Sequence, residues 1–303
     1  MLKKPSRITV VTHGGFFHPD DVFSVAVLKL LLEKFKLIRS RDLKYISEAD
    51  YVVDVGGVYD PKKKRFDHHQ EGGAGKRDNG IPYASFGLVW KEYGQKITGS
   101  EKVAALIDEM LVQPIDAMDN GKMIVRPIFG SVMPYTIEDM FFAYEAEVES
   151  DPSNPKIYDQ IFAKVLDMAL TVLRLEIKKA QHKVSDNQKV RKIYTAWQAQ
   201  GGDPRLMILP SRTRFFAKDF PKLLFVVYKD ANDHWSIKGV SAESDADTFA
   251  RRKYFPAAWA GKKDAELASV TGVPDALFCH NGRFIAVAKS KKGALELARL
   301  ALQ

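Results

Sequence analysis

Apolar residues in the first third of the chain fall into short runs separated by polar, glycine-containing segments. Residues 8–11 form a β-branched run that ends at Thr12-His13-Gly14-Gly15, which reads as a buried strand leading into a turn. From residue 22 to 36 the spacing changes. Val22, Val25, Ala26, Leu28, Leu32 and Phe35 recur mostly at three and four, the period of a helix lying on a sheet. Asp20 and Asp21 open that helix, where the positive end of the peptide dipoles favours acids. Leu37-Ile38 and Tyr51-Val52-Val53 are the next strand candidates, and residues 85–93 and 101–111 the next helices. Strands alternating with helices predict an α/β fold with a doubly wound, mostly parallel sheet.

The texture shifts at residues 145–155, an acidic stretch closing in Glu149-Ser150-Asp151-Pro152-Ser153-Asn154-Pro155. Prolines spaced this way mark a boundary. Beyond it Ile157, Ile161, Val165, Met168, Val172 and Leu175 step by three and four, giving a long amphipathic helix that bridges the two halves. From Arg205 the pattern is β-like, with runs at 206–209, 223–228 and 234–240, the last two joined as a hairpin. Runs at 276–279 and 284–288 flank the turn His280-Asn281-Gly282-Arg283, and residues 293–302 form a closing helix. The expected division is residues 1–150, bridging helices over 155–200, and a smaller α+β domain over 201–303.

Length and composition narrow the class. With 303 residues and 46% hydrophobic content, each half has enough apolar material for its own core. The 46 Lys and Arg against 38 Asp and Glu leave a net charge of +8, which favours polyanionic partners. Cys279 is the single cysteine, so an intrachain disulfide and a thiolate zinc cluster are both excluded. The basic start Met-Leu-Lys-Lys-Pro-Ser-Arg runs directly into the first strand instead of an apolar signal segment. No uncharged stretch reaches the roughly eighteen residues of a membrane span. A cytoplasmic protein without a membrane partner is expected, its oligomeric state left open.

The candidate chemistry gathers at the strand ends. Asp54 follows the apolar run at 51–53, at the carboxyl end where open α/β sheets place their sites. Asp67, His68 and His69 follow in a row, and four of the seven histidines, His13, His18, His68 and His69, lie between positions 13 and 69. Bringing His13, His18, Asp20, Asp54 and His68 together, with Asp116 or Asp119, gives the donor set of a two-metal site for Mn²⁺, Mg²⁺ or Zn²⁺. Asp116 and Asp119 equally fit a capped helix end. In the metal reading Asp54 bridges, His69 acts on the scissile phosphate or its leaving group, and Asp67 fixes the tautomer of a ligating histidine. Such a pair of ions suits in-line displacement at phosphorus.

Other residues are assigned to the substrate. The glycine-rich stretch 71–80 carries Lys76 and Arg77; it lacks the spacing and the Ser/Thr of a phosphate loop and reads as a mobile flap. Lys76, Arg77 and Ser85 are taken as substrate contacts in the first half, and His280, Gly282 and Arg283 in the second. Basic runs at 62–65, 251–253 and 289–292 could track a phosphate backbone or simply face solvent.

Taken together, Thr12-His13-x-Gly15-x-Phe17-His18-x-Asp20, Asp54-Val55-Gly56-Gly57-x-Tyr59-Asp60-Pro61, Asp67-His68-His69-Gln70 and Asp116-x-x-Asp119-Asn120-Gly121 resemble the Myg family (melanocyte-proliferating-gene proteins) of the DHH phosphoesterase superfamily. The likeness extends through Tyr254-Phe255-Pro256 and Trp259 to the closing Gly-Arg-Phe. Gly14, Phe16 and Asp21 depart from the family pattern, Asp21 standing where Glu is usual. The resemblance implies a DHH-type N-terminal domain, a C-terminal domain that grips substrate across a cleft, and a metal-dependent 3′-to-5′ exonuclease acting on single-stranded RNA. Two Mn²⁺ ions are the expected cofactor, with Mg²⁺ the alternative. By motif His13, His18, Asp20, Asp54, His68 and one of Asp116 or Asp119 would be ligands, and His69 would act on phosphate. The competing readings are a DHH phosphoesterase of a small substrate and a nucleic-acid-binding protein without turnover.

Overall fold

The computed structural model describes residues 8–150, 154, 156–242 and 250–303. Two compact units divide at Gln181/His182, inside a helix that runs unbroken over Ile157–Ala199. Residues 1–7, 151–153 and 155, which include the basic start and much of the proline-broken stretch, lie outside the described residues.

The first unit is built on strands β1 (Thr9–Thr12), β2 (Lys36–Arg39), β3 (Tyr51–Val53), β4 (Tyr59–Asp60) and β5 (Arg65–Phe66), in the order β2-β1-β3-β5-β4. All neighbours are parallel except β4, an antiparallel edge strand beside β5. Besides the first part of the Ile157–Ala199 helix, its α-helices among the described residues are α1 (Pro19–Leu32), α2 (Leu43–Glu48), α3 (Ser85–Thr98), α4 (Glu101–Ile107), α5 (Gln113–Asp119), α6 (Ile137–Phe142) and α7 (Glu145–Ser150). Strand alternation shows that both faces of the sheet are covered. Val11 and Val52 sit side by side and pack with Ile46 of α2, whereas Tyr51, one residue away, meets Tyr93 of α3 with ring centroids 6.3 Å apart. This is the doubly wound α/β arrangement expected from the alternation of patterns.

Several boundaries differ from the sequence reading. α1 ends at Leu32, not at residue 36, because Lys36 pairs with Thr9 in the parallel register of β2 on β1. The expected helix over 101–111 stops at Ile107 and continues as a π-turn over Asp108–Val112 before α5. Pro114 supplies no N–H to that turn, and Gln113 N–H reaches Asp108 O instead.

In the second unit β6 (Leu206–Leu209), β7 (Phe225–Lys229), β8 (Trp235–Gly239), β9 (Ala276–Cys279) and β10 (Ile285–Ala288) form a sheet in the order β6-β7-β8-β10-β9. β6 and β7 are parallel and the remaining pairs antiparallel, including the expected β7–β8 hairpin. The helix over Ile157–Ala199 is α8, followed by α9 (Asp264–Thr271) and α10 (Lys291–Leu302). One face buries Phe225, Val227, Phe255, Trp259, Leu267 and Leu297, and the other packs Met207, Leu209 and Phe220 against Val190 of α8. Among the described residues no helix is long and apolar enough to cross a membrane.

Candidate metal centre

The centre of the first unit lies at the carboxyl ends of β1 and β3. Asp54 leaves β3 with φ +53°, held by its N–H to Phe66 O at 3.0 Å, and the chain then turns through Gly56 and Gly57 at positive φ. A non-glycine residue in this left-handed region is strained, and such residues cluster where a side chain must be aimed. Here the aim is into a ring of imidazoles. Asp54 Oδ2 is 3.3 Å from His13 Nε2, and Oδ1 is 3.5 Å from both His68 Nε2 and His69 Nδ1. His13 Nε2 also lies 3.4 Å from Asp21 Oδ2, and His68 Nε2 3.0 Å from Asp119 Oδ2 and 4.0 Å from Asp20 Oδ2.

Helix ends fix these acids. Asp20, at the start of α1, accepts from the first two N–H groups of α3, Ser85 at 3.0 Å and Phe86 at 2.7 Å, while Asp116 of α5 accepts from the third, Gly87, at 2.9 Å. Two carboxylates therefore satisfy donors that a helix start otherwise leaves orphaned. The same docking places Ser85 Oγ to donate to Asp54 Oδ1 at 3.2 Å. Asp21 accepts from His18 N–H at 2.8 Å, closing the first turn of α1 on the loop that carries His18.

Burial and charge pull against each other across the cluster. Burial pushes the Asp54 carboxyl up, but the imidazoles of His13 and His68 outweigh it and hold the group well below the ordinary carboxylate range. Burial, with Asp119 and Asp54 nearby, pushes Asp20 well up, and burial pushes Asp21 to about 7. Burial lowers His68, yet Asp119 and Asp54 reverse that and push it up to about 11; His13 is raised in the same way, by Asp54 and Asp21 against burial. His18, with fewer acids close by, is lowered by its burial.

The donor set fits divalent cations. Three groups of ligand atoms each lie within 4.8 Å of one another: Asp54, His68 and His69; His13, Asp21 and Asp54; and Asp20, His68 and Asp119. Asp54 belongs to two of these groups and so does His68. Nε2 of His68 and Oδ2 of Asp21 are buried without an aligned hydrogen bond among the described residues, although acceptors or donors lie 3.0 and 3.4 Å away. Nitrogen and oxygen donors crowded in this way match a shared hard or borderline cation better than they match one another.

His13, His18, Asp20, Asp54, His68, His69 and Asp119 are thus brought together. Asp116 is not: its Oδ2 faces Arg77 Nη1 at 2.7 Å. Asp67 holds His69, accepting from its Nδ1 at 2.7 Å, and its carboxylate is lowered, against burial, by that bond and by the N–H groups of Gly57 and His69. The tautomer it fixes belongs to the most exposed histidine of the group, 61% open, not to a buried one.

The assigned substrate contacts fare differently. Arg77 is buried and spent on Asp108, at 2.7 Å, and on Asp116, and its guanidinium lies over the Tyr83 ring at 4.2 Å. This pins the glycine-rich stretch that the sequence reads as a mobile flap, which is further tied by Tyr83 N–H to Gly75 O. Lys76 is exposed beside it, and Ser85 is buried against Asp54. His280, Gly282 and Arg283 share the β9–β10 turn of the second unit, where His280 Nδ1 accepts from Gly282 N–H at 2.9 Å and Arg283 lies over Tyr254.

A cavity of about 280 Å³ opens over His13, His18, Asp54, His69 and Asp119. Arg41, Met118, Glu138 and Phe142 complete its lining. Asp21, Arg41 and Glu138 were not singled out from the sequence as site residues. Asp21 was legible as an acid beside Asp20, and Arg41 as a cation just past the carboxyl end of β2; Glu138 carries no local signal.

A family profile named MYG1_exonuc, described as "Uncharacterised protein family (UPF0160)", matches residues 9–302. The chain belongs to the Myg family. Relatives span it nearly end to end. A Chlamydia pneumoniae MYG1 protein is 29% identical over 97% of both chains, and a Dictyostelium discoideum MYG1 protein 27% identical over 97% of this chain and 96% of its own. A human protein named MYG1 exonuclease is 28% identical, covering 99% of this chain and 87% of its own. Of solved structures, a pGpG-specific phosphodiesterase, PggH, from Vibrio cholerae aligns over 98% of both chains at 13% identity and a TM-score of 0.33, a distant likeness.

Proposed function

We propose that this Myg-family chain is a divalent-metal-dependent phosphodiester hydrolase, and specifically a 3′-to-5′ exonuclease on single-stranded RNA. One observation carries the reading: Asp54 is shared between two groups of imidazole and carboxylate donors that converge beneath one cavity. The names of the mammalian relatives support the same chemistry.

His13, Asp21 and Asp54 would hold one ion, and His68, Asp20 and Asp119 with Asp54 a second, His18 closing the set from the cavity side. Mn²⁺ suits this mixture of nitrogen and oxygen donors, with Mg²⁺ the alternative. Ions held there would supply positive charge for activating water and for neutralising charge on the phosphoryl oxygens. The remaining work belongs to the protein. Asp67 fixes the His69 ring through Nδ1, which leaves Nε2 to meet the scissile phosphate and to hold or pass the proton taken by the leaving oxygen. Arg41 is placed to draw a phosphate oxygen into the cavity. Ser85 keeps the Asp54 carboxylate oriented through its hydroxyl.

Digestion of 5′- and 3′-labelled RNA and DNA strands of graded length, with Mn²⁺, Mg²⁺ or chelator, tests the reading. The expected result is metal-dependent release of mononucleotides from the 3′ end of RNA, abolished by chelator. Asp54→Ala or His68→Ala should lower the rate at least about a hundredfold with the fold retained. Full activity in those variants would remove the centre from the reaction, and cleavage confined to dinucleotides would replace the exonuclease by an enzyme of small substrates.

A further inference from the structure

Between α5 and α6 the chain runs from residue 120 to 136 without helix or strand, and both of its stems belong to the cavity wall. Met118 and Asp119 line the cavity on the outgoing side, Glu138 and Phe142 on the returning side. The stems are firmly made. Lys122 N–H bonds Ala117 O at 2.7 Å, and Thr136 and Asp139 cap α6 reciprocally, with Phe141 buried beneath. The stretch between them is open: Ile128 is 82% exposed, Phe129 75% and Tyr135 74%, with Met123 and Val132 beside them. Apolar surface of this extent implies a partner that covers it.

The composition points to the partner. Residues 120–137 contain no acid and two exposed cations, Lys122 and Arg126, alongside two exposed aromatic rings. Exposed rings interleaved with cations are how single strands are held without regard to sequence, because every base offers a flat face and every linkage a phosphate. From these observations we infer that residues 121–136 form a strap that grips the single-stranded nucleic acid leading away from the metal centre, Phe129 and Tyr135 stacking on bases and Lys122 and Arg126 meeting phosphates. The inference rests on the phosphodiesterase reading and adds to it a binding element: residues 121–136 hold the strand beyond the reacting end, which a free dinucleotide would not reach.

Binding tests the strap apart from catalysis. The full chain and its Phe129→Ser/Tyr135→Ser variant are titrated into a fluorescein-labelled twelve-nucleotide single strand in chelator, and anisotropy is followed. The variant should bind at least tenfold more weakly, and 5-iodouridine in the strand should cross-link within residues 121–136 of the unaltered protein. Equal affinity of the two proteins, or no binding by either, overturns the strap. A parent that sediments as a dimer and a variant that sediments as a monomer, with strand affinity unchanged, gives the surface to a second copy of the chain and also overturns it. Cleavage of a dinucleotide by the unaltered protein in Mn²⁺ reports separately on the centre, so failure of the strap and failure of the phosphodiesterase reading are told apart.

Discussion

Asp116 and Asp119 are three apart on α5, and one turn of helix gives them different tasks. Asp119 reaches His68, whereas Asp116 is fully buried between the N-terminus of α3 and the Arg77 guanidinium. Asp119→Asn should leave the fold intact and weaken Mn²⁺ binding at least tenfold by calorimetry. Asp116→Ala should leave a buried cation short of a partner and cost about 3 kcal/mol in chemical denaturation. Interchanged outcomes would reverse the two assignments. Sequence alone could not choose between these acids, since residues at i and i+3 present the same pattern whichever one faces the site. Asp54 was easier to single out, because an acid that ends an apolar run and precedes two glycines has few structural explanations. Arg77 misled for the opposite reason: its acidic partners lie 31 and 39 positions away, and nothing local announces a buried pair.

Helix packing around the site leaves little slack. A Cβ at Gly87 of α3 would fall 1.9 Å from Asp116 Oδ2 and 2.8 Å from Arg77 Nη2, so α3 and α5 approach as closely as they do only because the position is glycine. Gly87→Ala, normally favourable in a helix, should lower stability by about 1–3 kcal/mol in thermal or urea unfolding. A gain in stability would show that the helices have room. In the second unit α8 is clasped by Asp219, which accepts from Asn187 Nδ2 at 2.6 Å and pairs with Arg191 at 2.7 Å. Burial raises the Asp219 carboxyl, but these two partners together outweigh it and hold the group below its ordinary value. Folding is therefore favoured above the unfolded pKa, near 4, and that contribution is lost as pH falls through the lower folded value. Urea midpoints of the parent and of Asp219→Asn should differ at pH 6 and converge near pH 2; a constant difference would assign the clasp no titrating role. Periodicity sufficed for α1, α3, α8 and the β7–β8 hairpin, which are long enough to show a repeat. It failed for α2, a helix of six residues, and for β4 and β5 at two residues each. Those strands exist because β3 and the Asp67-His68-His69 segment hold them in place, a tertiary cause with no local period.

Over the whole chain, two α/β units carry separate cores, and the first gathers nearly all of the candidate chemistry at one edge of its sheet. Besides Asp67, which holds His69, four carboxylates that are at most 3% exposed among the described residues, Asp20, Asp21, Asp54 and Asp116, lie in this unit. Arg77 answers Asp116, and the imidazoles of His13 and His68 face the other three. Such an arrangement gains most from added positive charge, so divalent ions should stabilise the protein, by about 2.7 kcal/mol per site at a hundred times the dissociation constant. Isothermal titration of Mn²⁺ into the chelator-treated chain, repeated on Asp54→Ala, asks the central question directly. A two-metal centre that shares Asp54 requires two ions per chain for the parent and a loss of both high-affinity events in the variant. Unchanged Mn²⁺ binding by Asp54→Ala, or none by the parent, would contradict it.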